Sequence, residues 1–252
     1  MLSLTQFGEA AVTVGVRVAS LLLFTPFPGG AAVPPRIKAG LTLAITILLY
    51  PIVPRTTEGL PNVAGLVAGE MAVGLLLGLS VTIVFEAAQV AGQIAGMQVG
   101  FALVNIIDPQ TQVDTPVLST FHQLIVLLIF LQLNVDHWLL RGAANSFHYL
   151  PPGRVHLSGM AVTTLLHAAA GIWMAAVEIA APILFATLLA DVAMGFIGKA
   201  SPQLQILFLG LSVKTILAIV VWTSALWLWP SRFESYFGRA ISNSEQLLHL
   251  AR

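Results

Sequence analysis

The chain has 252 residues, 57% of them hydrophobic and only 9% charged, and its mean hydropathy is +0.90. A soluble domain carries about 25% charged residues, so this chain has too little polar surface to face water on all sides. With 11 basic and 11 acidic side chains and no basic cluster, disorder and nucleic-acid binding are excluded. An ordinary soluble enzyme is not expected, and an all-α integral membrane protein, or a subunit of a membrane-embedded complex, is.

In chain order, the first apolar run is Ala10–Phe27, closed by Pro26, Pro28, Gly29 and Gly30. The n-region ahead of it carries Glu9, and no Lys or Arg occurs before Arg17. A signal peptide has a basic n-region, so this run is expected to stay in the mature protein. The linker Val33-Pro34-Pro35-Arg36-Ile37-Lys38 leads to a second run, Ala39–Val53. The third starts near Val63 and does not stop cleanly until about Ile107. The fourth is Val117–Val135, the fifth runs from about Met160 to Ala200, and the sixth is Leu204–Trp229. A polar tail, about residues 231–252, follows within what reads as a single membrane domain over 1–252.

A helix needs about 20 residues to cross a bilayer. Runs one, four and six fit that length, and run two is short. Runs three and five each give about 60 Å of helix, twice the hydrocarbon thickness. Each must fold back as a hairpin or extend beyond the membrane as a kinked rod. Pro182 lies inside run five, and Glu178 four residues earlier marks a candidate broken helix of the transporter kind. With six spans, six basic residues fall on the side of the N-terminus and tail and three on the other, which leans those termini to the cytoplasm.

The sharpest local pattern is Ala88, Gly92, Gly96 and Gly100. Small residues every four positions line one stripe of a helix, where another backbone can approach closely. Glu86, Gln89, Gln93 and Gln98 interleave with it, and such groups belong against protein or water rather than acyl chains. The stripe is either an ordinary helix contact or a specialised one, and in both cases it is buried in protein. Between runs three and four lies Asn105–Pro116, where Pro109 and Pro116 disfavour helix at Asp108 and Thr115. By spacing alone it reads as a loop joining two spans.

Ionisable groups inside the apolar runs are Arg17, Glu70, Glu86, Glu178, Asp191 and Lys214. A transporter would use such groups, but they are scattered along the chain. The expectation is therefore that each pairs with a neighbouring subunit or snorkels. Asp136 precedes His137, and His148, His156 and His167 follow at spacings that match no zinc pattern. There is no cysteine, no phosphate-binding loop and no nucleophile elbow. Neither catalysis, a cofactor nor a metal is expected.

Four motifs together resemble the type III secretion export-gate family, in its flagellar branch, over nearly the whole chain. They are Val33-Pro34-Pro35-Arg36-Ile37-Lys38-Ala39-Gly40-Leu41, the Gly- and Gln-rich Ala91–Phe101, Asp108-Pro109 followed by Pro116-Val117-Leu118, and Ala200-Ser201-Pro202-Gln203-Leu204-Gln205-Ile206-Leu207-Phe208 with Lys214 beyond. The chain departs from the family pattern at Lys199, where arginine is usual, at Ser212, where proline is common, and at Asn134-Val135-Asp136-His137.

The resemblance implies a fold of long kinked helical hairpins, like a fusion of two partner-subunit folds, within a helical export-gate assembly. It implies as partners FliP-like and FliQ-like small membrane proteins, an FlhB-like switch protein, unfolded export substrates and membrane lipid, with no nucleic acid. The expected location is the bacterial inner membrane at the flagellar basal body. The family's sealing plug maps onto about residues 99–115, including Phe101, Val104, Ile106, Ile107, Asp108 and Pro109. Apolar side chains there would close a polypeptide-wide passage by dewetting. Two other readings stay open: the injectisome counterpart of the same family, and an independent secondary transporter, for which no clear internal repeat is visible.

Overall fold

A long apolar segment in lipid must satisfy every backbone amide internally, and the helix does so within one segment. The computed structural model describes residues 4–30, 33–53, 63–99, 117–152, 155, 159–201 and 206–250. Among these, every regular element is helical. Helix α1 is Leu4–Phe24, α2 Pro35–Leu49, α3 Val63–Val99, α4 Val117–Gln132, α5 Val135–Tyr149, α6 Gly159–Ala200, α7 Ile206–Ala225 and α8 Trp229–Leu250. This is an all-α membrane protein. Among the described residues, α3, Leu166–Ala200 and Leu209–Leu248 are long and apolar enough to cross a bilayer, and α4 with α5 adds a fourth if that bent pair is one span.

Runs three and five take the rod alternative rather than the hairpin. The 37 residues of α3 and the 42 of α6 are each one continuous helix, about 55 and 63 Å long at 1.5 Å per residue. The break expected at Glu178–Pro182 is absent, since α6 runs through Pro182. A proline deletes one amide bond and leaves the rest of a long helix intact, which lipid-embedded helices tolerate. Run four is where the chain does turn. Asn134 adopts a left-handed conformation, φ 53°, a geometry that Asn accepts better than most residues. The α4 and α5 axes differ by 65° across it. The polar tail is helical, as α8. Its apolar positions Trp229, Phe233, Phe237, Leu247 and Leu248 are buried, while Arg232, Glu234 and Arg239 are exposed.

The chain groups into two compact units. Unit 1 comprises residues 1–84, 130–170 and 235–252, and unit 2 comprises residues 85–129 and 171–234. The core of unit 1 joins Val14, Val18 and Leu22 of α1 to Ile45 and Leu49 of α2 and Phe147 of α5. In unit 2, Ala91 packs on Ala176 and Ala180 of α6, and Ala95 and Val99 pack with Ile183 of α6 and Ala218 of α7. Small side chains at these crossings let the helices close on the C-terminal half of α3 by dispersion contact.

Candidate functional site

Two seams on α3, one in each unit, hold the buried Arg17, Glu70 and His122 side chains. The first belongs to unit 1. Glu70, Gly74, Gly78 and Thr82 recur every four residues and so share one stripe of α3. A Cβ on Gly74 would collide with Ser20 Oγ and the Arg17 carbonyl of α1, and one on Gly78 would meet the Phe24 Cβ at 2.9 Å. The Thr82 hydroxyl donates to the Phe24 carbonyl. Partners on the two helices ascend together, from Arg17 opposite Glu70 to Phe24 opposite Thr82, so α1 and α3 run parallel here.

The end of this seam is a buried polar hub. Arg17 and Glu70 are both fully buried, and Arg17 Nε donates to Glu70 Oε2 at 2.6 Å. Arg17 Nη1 donates to Ser146 Oγ at 2.8 Å, and Nη2 to the Leu150 carbonyl at 3.0 Å. Ser146 Oγ donates in turn to the Ala143 carbonyl at 2.6 Å. The guanidinium also lies 3.9 Å above the Phe147 ring. One cation thereby ties α1 to α3 and to the C-terminal turn of α5. A charge in this setting is stable only because its donors are matched.

The second seam, in unit 2, is the stripe singled out by spacing. Ala88 is fully buried. A Cβ on Gly92 would lie 2.5 Å from Ser119 Cα, whereas one on Gly96 would find the Leu118 Cβ at an ordinary 3.8 Å. The stripe therefore receives α4, antiparallel, and its tightest point is Gly92. Gln123 Nε2 donates to Gln89 Oε1 across the seam at 2.8 Å. Fully buried His122 sits at its centre. Trp222 Nε1 of α7 donates to His122 Nε2 at 2.7 Å. Indole can only donate, so Nε2 is the bare nitrogen and Nδ1–H donates to the Ala88 carbonyl at 3.2 Å. Trp229 meets the imidazole edge-on at 4.9 Å.

The His122 contacts at the centre of this stripe escaped the reading of the sequence. A histidine stands out in a sequence when another lies at a metal-ligand spacing, and His122 has no such neighbour. Gly74 and Gly78 carry the same four-residue signal as the later stripe, but the leucines between them hide it. Sequence reading also missed the ion pairing. Arg17 pairs with Glu70, Lys214 with Asp191, and Arg232 with Glu178 at 3.4 Å, all within the chain. The expectation of pairing with a neighbouring subunit or snorkelling is corrected for these groups: their partners are distant in sequence but adjacent in space.

Of the family-motif residues, Pro35 opens α2. Arg36 is exposed. Lys38 Nζ donates to the Gly29 carbonyl at 2.7 Å, closing the turn before α2. Lys214 of α7 reaches Asp191 of α6. Lys199 is exposed in the last turn of α6, Ser212 is exposed on α7, and Asp136 contacts the adjacent His137 at 3.4 Å. Phe101, Val104, Ile106, Ile107, Asp108, Pro109, Gly100, Pro116, Pro202 and Gln203 lie outside the described residues. Val99, near the end of α3, and Leu118, in the first turn of α4, line one small apolar cavity of about 20 Å³ with Ile183, Ala218, Ile219 and Trp222. Residues 100–116 thus connect two helix ends that meet at one place. Among the described residues no cluster of three or more metal-ligating side chains occurs.

Residues 9–240 match the family described as "Bacterial export proteins, family 1". Flagellar biosynthetic protein FliR of Pectobacterium carotovorum subsp. carotovorum is 30% identical over 224 residues, covering 88% of this chain and 86% of the relative. Flagellar biosynthetic protein FliR of Escherichia coli K12 is 29% identical over 206 residues, covering 81% and 79%. Flagellar biosynthetic protein FliR of Bacillus subtilis strain 168 is 26% identical over 226 residues, covering 88% and 87%. Its apolar helices and a match spanning nearly its whole length place the chain in the bacterial export protein family, family 1.

Proposed function

We propose that this chain is a structural and gating subunit of the flagellar type III protein export apparatus, working without catalysis. The carrying observation is the family match over residues 9–240 together with flagellar relatives that align over most of their own length. Its partners on this reading are FliP-like and FliQ-like small membrane proteins, an FlhB-like switch protein and unfolded substrates, in the bacterial inner membrane at the basal body. Phe101, Val104, Ile106 and Ile107 close the idle passage by dewetting, with Asp108 and Pro109 shaping the closing segment. The paired ends of α3 and α4 support this reading, because a plug needs a fixed base.

The test is deletion of residues 106–113 in cells. The expected result is a raised resting ion leak while substrate secretion persists or loosens. Unchanged conductance overturns the plug assignment. Deletion of the whole gene separates the flagellar role, read as lost motility and filament-protein export, from an injectisome role, read as lost effector secretion. Solute flux by the purified chain alone in liposomes would instead make it a transporter.

A further inference from the structure

His122 is a buried titratable side chain with no part in the proposed passage, and both its ring nitrogens are committed. Nδ1 donates to the Ala88 carbonyl of α3, and Nε2 accepts the Trp222 indole N–H of α7. The two ring planes differ by only 11°, so the indole N–H points along the in-plane lone pair of Nε2. One imidazole of α4 thereby joins three helices of unit 2, and it can do so in a single protonation state. A protonated ring donates from both nitrogens, and indole has no acceptor to offer. Two donors would then face each other across 2.7 Å, and one must leave.

Among the described residues, no charged group touches the ring to hold an imidazolium in place. From α3 the ring meets the Ala88 carbonyl and Gly92, from α7 Trp222, and from α8 Trp229. The charges of these helices are engaged elsewhere or face outward. On α3, Glu70 pairs with Arg17 and Glu86 is exposed. On α7, Lys214 pairs with Asp191. On α8, Arg232 pairs with Glu178 and Glu234 is exposed. Helix α4 itself carries no charged residue. Trp222 is half-buried and lines the small apolar cavity beside Val99, Leu118 and Ala218, so the indole has space on one side and covers His122 from the other. A second polar tie lies two turns earlier on the same face of α7, where Thr215 Oγ1 donates to the Val99 carbonyl at 3.3 Å. A hydroxyl does not titrate in this range, so that end of the contact holds when the other lets go.

We propose that His122 is an acid-released clasp. The neutral ring holds Trp222, and with it α7, on the α3–α4 seam. A proton taken from water onto Nε2 expels the indole N–H, and α7 loosens at Trp222 while Thr215 keeps its hold. The fold binds the neutral ring and water favours the imidazolium, so acid shifts the balance toward release. The inference rests on this geometry and not on the flagellar reading. The full chain in micelles, grown with fluorotryptophan, carries five fluorine reporters, and the Trp222 resonance is the one missing from Trp222→Phe. Between pH about 8 and about 4, that resonance should move reversibly toward a second position with a one-proton profile, while those of Trp138 and Trp173 stay. In His122→Gln the carboxamide can accept from the indole and donate to the Ala88 carbonyl without titrating, so the Trp222 resonance should keep its neutral-pH position throughout. In His122→Phe, with nothing to titrate, it should hold one position at every pH. A Trp222 resonance that ignores pH, one that shifts equally in either variant, or all five moving together overturns the proposal.

Discussion

The Arg17 hub gives the sharpest energetic test. Replacing Glu70 with Met leaves the guanidinium buried with Ser146, the Leu150 carbonyl and the Phe147 ring but no countercharge. An uncompensated buried charge costs about 3–5 kcal/mol. Replacing Arg17 with Met removes the countercharge of the buried carboxylate at similar cost, and the Leu150 carbonyl also loses a charged donor, adding about 1 kcal/mol. Ser146 is spared because it still donates to Ala143. The double variant removes both charges, and buried pairs replaced by apolar residues of like volume are neutral or up to about 4 kcal/mol more stable. The double should therefore be more stable than either single variant by at least about 2 kcal/mol. Exchanging the two residues, Arg17→Glu with Glu70→Arg, should not rescue, because Ser146, Leu150 and Phe147 all address a guanidinium at position 17. Denaturation of the purified chain in mixed micelles, followed by circular dichroism, supplies the four-member cycle. Single variants within about 1 kcal/mol of the parent, or a double whose loss is the sum of the singles, would refute the reasoning.

Three further outcomes follow from the same geometry. Gly74→Ala should abolish stable accumulation in the membrane, because the added carbon meets the Arg17 backbone, while Gly40→Ala, with nothing within 4 Å, should be neutral or stabilise by about 1 kcal/mol; immunoblots of membrane fractions compare them. On the second stripe, Gly92→Ala should lower the unfolding midpoint strongly and Gly96→Ala hardly at all, and equal effects would remove the assigned crossing point. Trp222→Phe should cost about 1–3 kcal/mol by leaving buried His122 Nε2 unmatched, and the added change His122→Phe should recover part of that loss in the same unfolding assay.

Helical class and the approximate runs were legible in the sequence because hydrocarbon imposes one rule on every segment, an apolar stretch long enough to bury its amides. The closeness demanded by Ala88, Gly92 and Gly96 was legible for a similar reason: absent side chains at i, i+4 say where a backbone approaches. What the spacing did not say is that Gly92 is intolerant and Gly96 roomy, since that depends on whether Ser119 or Leu118 lies opposite. Arg17 and Glu70 are 53 positions apart, and one charge per segment looks scattered until α1 and α3 are laid side by side. Pro182 misled because the loss of one amide bond is a local property, whereas the continuity of a 42-residue helix depends on all the others.

The internal ion pairs bear on how such a subunit joins others. Charges left unmatched on membrane helices would drive assembly by pairing with a partner, and that attraction would be set by local dielectric and salt. Here Arg17, Glu70, Asp191 and Lys214 are matched inside the chain, so they offer little to a neighbour. Glu86, exposed on α3, differs in facing outward. The exposed apolar surface of the described helices offers association by close packing, whose strength does not fall with ionic strength. Recovery of partner proteins with the detergent-solubilised chain should accordingly survive molar salt. It should fall when large side chains on the exposed flank of α6, such as Phe185 and Phe196 at 64 and 70% exposure, are cut to Ala. Loss of partners in molar salt, reproduced at low salt by Glu86→Gln, would instead place a charge contact at the centre of assembly.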